Sequence, residues 1–157
     1  MKIKHVLGVS FFSLVLGLGF VACSDDDDDN TPQAPSEVVG IWKYSTVKSN
    51  VEVTDEEIKD AVIEYIENLP NEGVDTYNLK ANKTYELRMV GAEKDSTGNY
   101  IYNNGKITFD SKSDVAYAKD TISDMEDVKK AVAEALDLDE TKITKAESVK
   151  IYKRISK

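Results

Sequence analysis

The segment GNYIYNNGKITF, Gly98 to Phe109, constrains the fold more than any other stretch of the chain. Asn104-Gly105 suits the positive φ angles of a two-residue type I′ turn, and Tyr100, Tyr102, Ile107 and Phe109 recur at every second position on either side of it. A period of two around such a turn predicts an antiparallel hairpin with one apolar face. The stretch before it, YNLKANKTYELRMV, repeats the plan: two strands around a tight turn near Ala81 to Lys83, with Tyr85, Leu87 and Met89 alternating inward.

Upstream, VVGIWKYSTVKSNVEV places Val39, Ile41, Val47, Val51 and Val53 on one parity and Trp42 and Tyr44 on the other. A change of face within one extended run predicts a single long strand with a bulge. The period then lengthens. Ile58, Ala61, Val62, Tyr65, Ile66 and Leu69 form one stripe of an amphipathic helix near residues 55–69, with capping-box spacing at Thr54 and Glu57 and a stop at Pro70 and Gly73. After a weaker strand, VAYAK, a second capping box at Ser123 and Glu126 precedes Met125, Val128, Val132, Ala135 and Leu136, predicting a helix near residues 124–136. KITKAESVKIYKRISK closes the chain as a strand with Val149, Ile151 and Ile155 on one parity and Tyr152 and Arg154 on the other. Residues 38–157 are therefore expected to form one mainly β domain with two inserted helices.

The first 37 residues belong to a different regime. Lys2 and Lys4 precede the apolar run VLGVSFFSLVLGLGFVA, which has the layout of a secretory signal ending at Ala22. The run is shorter than the ~20 residues a membrane-spanning helix needs. Cys23, the single cysteine, follows at once, and VAC resembles the lipobox of bacterial lipoproteins, which implies a diacylglyceryl thioether on Cys23. Residues 23–37 then read as a lipidated cysteine and an acidic, proline-containing tether. A calcium loop starting at Asp25 fails on spacing, because Asn30 stands where an EF-hand needs glycine and Ser36 where it needs a bidentate glutamate.

Charge and residue inventory narrow the function classes. Loss of Lys2 and Lys4 takes the formal charge from −9 to −11, and setting aside Asp25 to Asp29 and Glu37 leaves −5, so nucleic acid is not an expected partner. The only histidine, His5, lies in the signal. Without a mature histidine or free thiol, Ser-His-Asp and Cys-His catalysis and ordinary zinc sites are excluded, and no metal or cofactor is expected. Carboxylates such as Glu86 remain, but no spacing singles out a catalytic pair. An enzyme is not expected.

Gly40-Ile41-Trp42 in the first strand, Leu79 and Thr84-Tyr85 in the following hairpin, and GNYIYNNGKITF together resemble the lipocalin-like lipoproteins of Bacteroides-type bacteria. The resemblance implies an antiparallel lipocalin-like β-barrel or half-open barrel, of which about seven strands are legible against the eight of a full barrel. It implies that Ser24 and the aspartates Asp25, Asp26, Asp27, Asp28 and Asp29 act as an export signal, sending an outer-membrane lipoprotein to the cell surface. It also implies that Arg154 lies across Trp42 and shuts one barrel end, and that Asp95-Ser96-Thr97 and Asp120-Thr121-Ile122 match an O-glycosylation pattern.

Two functions follow as expectations. One is a carrier of a small apolar or amphipathic ligand, lined by Tyr77, Tyr85, Tyr100, Tyr102 and Phe109. The alternative is a non-enzymatic interaction or accessory module of a cell-envelope complex, in which those aromatics only fill the barrel.

Overall fold

Each edge of the first strand finds a partner strand. In a computed structural model of the chain, which describes residues 33–110 and 112–157, β1 (Gly40–Val53) pairs antiparallel with β2 (Val74–Leu79) on one side and β8 (Ile143–Ser156) on the other. The Asn104-Gly105 turn, with φ angles of 49° and 78°, joins β4 (Ser96–Asn103) to β5 (Lys106–Phe109). β3 (Thr84–Met89), β6 (Ser113–Ala118) and β7 (Thr121–Asp127) complete a closed barrel in the order β1 to β8. The fold is a closed, eight-stranded lipocalin-like barrel, and the half-open alternative falls away.

β1 carries the bulge its pattern requires. Its register against β8 shifts between Tyr44 and Thr46, so Trp42 and Tyr44 face inward before the shift and Val47 and Val51 pack inward after it. On β8 the inward parity is that of Ala146, Ser148, Tyr152 and Arg154, while Ile155 is exposed. Tyr85 and Leu87 pack on the core, but Met89, expected on the same face, is exposed at the strand end.

The strand missing from the sequence reading is β7. Ser123, expected to cap a helix, instead pairs with Ala116 and Ile151, and Asp124, Met125 and Glu126 are strand residues. Two features hid it. Its hairpin turn uses Lys119 and Asp120, both at positive φ, with neither glycine nor asparagine, and Ile122 is its only buried apolar residue. The second helix, α2, is accordingly only Lys129–Ala135, and the carboxylate of Asp127 accepts from the Lys129 N–H at 2.9 Å.

The first helix is also trimmed. A 3₁₀ turn, Glu56–Ile58, leads into α1 (Lys59–Glu67), and Asp55 rather than Thr54 accepts the Glu57 N–H, at 3.2 Å. Thr54 instead donates to the Lys142 carbonyl, extending the β1–β8 ladder. Helix α1 ends before Pro70, where the Asn68 side chain donates to the Glu64 carbonyl at 2.8 Å.

The interior divides into two apolar clusters. One joins Val38, Trp42, Tyr77, Leu79, Tyr85, Tyr100, Ile107, Phe109, Ile122 and Tyr152 within the barrel. The other seats Val62 and Ile66 of α1 and Val132 and Ala133 of α2 on Ile143 and Ala146 of β8. Both helices therefore cover the same end.

Candidate functional site

The barrel end opposite the helices is shut by its own side chains. Trp42 is fully buried and donates through Nε1 to the Val38 carbonyl at 2.9 Å. The Arg154 guanidinium carbon lies 4.4 Å from the Trp42 ring centroid, and Tyr117 meets the same ring edge-on at 5.7 Å. Arg154 Nε and Nη2 are buried without a hydrogen-bond partner among the described residues, since Asp120 stands 3.8 Å from Nη2, within ion-pair reach but too far for a hydrogen bond. Gly40 has a φ of 143°, and a Cβ there would collide with the Ser156 carbonyl, so the G-x-W glycine is what lets the last strand close against the first.

The middle of the barrel is filled with rings. Tyr77 stacks on Phe109 at 5.3 Å and meets Tyr152 edge-on at 4.7 Å, while Tyr85 meets Phe109 at 5.0 Å. The Tyr85 hydroxyl donates to Asp110 at 2.7 Å, and the Tyr100 hydroxyl donates to the Lys80 carbonyl at 2.8 Å. The bond to Asp110 pushes the Tyr85 phenol up to about 12, and burial does the same for Tyr100. Burial raises Tyr77 and Tyr152 further. Tyr102 packs against Tyr117 at 5.7 Å, nearer the plugged end. The five aromatic candidates thus contact one another and the core, and none of them lines the cleft described next.

That cleft lies at the helix-covered end and measures about 570 Å³, within the ~300–1,000 Å³ of small-molecule sites. Val47 of β1, Tyr65 of α1, Leu69, Val128 just before α2 and Ala131 within it give it apolar walls. Ser148 and Lys150 of β8 supply its polar groups from within, and Glu72 and Glu126 stand with the lining residues as exposed carboxylates. Ser148 is only 2% exposed, and its Oγ has no hydrogen-bond partner among the described residues. Lys150 Nζ lies 3.4 Å from Glu126, whose side chain is 63% exposed against 19% for the lysine. Deeper in the barrel, desolvation raises the Asp124 carboxyl above its usual range against the pull of Lys150.

Ser148 and Lys150 were not singled out from the sequence. Their signal was the parity they share with Tyr152 and Arg154, which places two polar residues on the inward face of a closing strand.

The other expected positions fall as follows. Glu86 accepts from Asn78 at 2.8 Å and from Lys80 at 2.5 Å, which holds its carboxyl below the usual range. Ser96 and Thr97 are exposed at the start of β4, whereas Thr121 Oγ1 donates to the Ala118 carbonyl at 2.6 Å. Cys23, Ser24 and Asp25 to Asp29 lie outside the described residues.

No protein-family model, no curated protein and no solved structure matches the chain.

Proposed function

We propose that the protein is a lipid-anchored outer-membrane lipoprotein, displayed at the cell surface, whose barrel holds a small amphipathic molecule without chemically changing it. The observation that carries the ligand-binding half is the asymmetry of the barrel: one end is closed by Trp42 and Arg154 and the middle is packed with rings, while a cleft of about 570 Å³ remains under the helices. This moves the ligand away from the aromatic set expected from sequence. It also favours ligand binding over a protein-docking role, because the large exposed apolar residues among the described ones, Met89, Val90, Ile101, Met125 and Ile155, are distributed over the end of β3 and over β4, β7 and β8. Anchoring rests on Cys23 after a signal-type apolar run, and display on the acid run behind it.

Native mass spectrometry of the protein purified from its own envelope tests the binding role. A bound small molecule is expected with the unaltered chain and is lost in Ala131→Trp, which fills the cleft from the exposed face of α2. Identical spectra for the two proteins, with no bound species in either, would remove the carrier role.

A further inference from the structure

The cleft has an unequal supply of hydrogen-bonding groups, and that inequality specifies a head group. Its inner side offers the Ser148 hydroxyl, which can donate or accept, and the Lys150 ammonium, with the Asp124 carboxyl deeper in the field of that lysine. Ser148 Oγ is buried without a partner among the described residues, and Lys150 Nζ has three N–H bonds of which the 3.4 Å contact to Glu126 occupies one. Asn71 is held in place by one donated bond to the Val74 carbonyl and one accepted from the Gly73 N–H. The exposed side offers acceptors, the carboxylates of Glu72 and Glu126. Lys150 and Glu126 thus stand side by side, and Val47, Tyr65, Leu69 and Ala131 make up much of the apolar lining.

The geometry points to an acyl amide as the ligand class: an apolar chain against that wall, a carbonyl oxygen accepting from Ser148 and Lys150, and an amide N–H donating to the rim carboxylates. The inference rests on the cleft being a ligand site, as proposed above, and adds the head group. A carboxylate head satisfies the inner donors but meets two glutamates against one lysine. An ammonium head suits the glutamates but would stand beside the Lys150 cation, which lies 3.4 Å from Glu126. A neutral group with an acceptor and a donor side by side answers Lys150 and Glu126 together without meeting a like charge, and its acceptor pairs the buried Ser148 hydroxyl, whose lack of a partner penalises the wrong ligand.

N-methyloctanamide, octanoate and octylammonium, three soluble probes with the same chain, are titrated into the full protein by calorimetry. The amide is expected to bind at least about tenfold tighter than either ion, the share of one or two buried hydrogen bonds. Lys150→Met and Ser148→Ala should each weaken the amide by about tenfold, and Lys150→Met should leave octylammonium as tight or tighter. Octanoate or octylammonium matching the amide overturns the head group and leaves the cleft as a ligand site. Failure of all three to bind overturns both, and amide binding that survives Ala131→Trp places the ligand elsewhere and overturns the assignment.

Discussion

Removing Trp42 and Arg154 singly and together measures whether the closed end holds the barrel. Trp42 is fully buried, so Trp42→Ala should cost about 3–5 kcal/mol, and the lost Nε1 bond strands the Val38 carbonyl as well. Against a domain stability of ~5–15 kcal/mol that is a large share. Arg154→Met behaves differently. It forfeits a cation–π contact at 4.4 Å, roughly 0.5–2 kcal/mol, but it also removes two buried guanidinium nitrogens that lack hydrogen-bond partners among the described residues, each a penalty of about 1–3 kcal/mol in the folded state. The relief is at least as large as the loss, so the single change should not destabilise the domain. The double mutant should then show a coupling of about 0.5–2 kcal/mol. Urea unfolding followed by far-ultraviolet circular dichroism is the assay, because Trp42 is the only tryptophan and its fluorescence vanishes with it. Should Trp42→Ala fail to fold, Trp42→Leu removes the ring while keeping apolar bulk and gives the same cycle at lower cost. Coupling within the ~0.3–0.5 kcal/mol scatter of independent sites would refute the closure, and so would an Arg154→Met cost as large as that of Trp42→Ala.

Cys23→Ser should abolish incorporation of labelled palmitate and release the protein from the outer membrane, since the thioether needs the thiol; retained label and membrane fractionation would exclude lipidation there. Changing Asp25 to Asp29 to alanine should preserve acylation yet shield the domain from protease added to intact cells, and unchanged digestion would leave the run a mere spacer. Gly98→Ala should destabilise the domain by about 1–3 kcal/mol, because the added Cβ collides with the Asp110 carboxylate and the Tyr85 hydroxyl; unaltered urea unfolding would show that this pair yields freely. Alkaline stability should fall as well. Tyr85 and Tyr100 are raised to about 12 and Tyr77 and Tyr152 are also raised, so the folded state holds these protons while the unfolded chain releases them near pH ~10. Their contribution is full below pH ~10 and is lost as pH rises towards 12, so absorbance at the phenolate band should show these four titrating only with unfolding; eight tyrosines titrating alike near pH 10 in folded protein would contradict it.

Local signals sufficed wherever a side chain's pattern or a turn's backbone demand was carried by neighbours in the chain. Asn104-Gly105 named its hairpin, the change of parity after Tyr44 named the bulge in β1, and the stripe from Ile58 to Ile66 named α1, because each depends on conformations accessible to the local residues. The eighth strand had no such signal. Thr121–Asp127 buries little apolar surface of its own and is extended because β6 and β8 hydrogen-bond it from both sides, and those pairings outweighed a capping-box pattern that fits a helix equally well. The cleft was further still from the sequence. Ser148 and Lys150 lie on β8, Val47 on β1 and Ala131 on α2, and only the bulge in β1, the closure of β1 on β8 and the seating of both helices at one end bring a buried unpaired hydroxyl and an apolar wall to the same 570 Å³. Period and turn chemistry act over a few residues and can be read from them, whereas a cavity is defined by what remains unfilled after distant segments have packed.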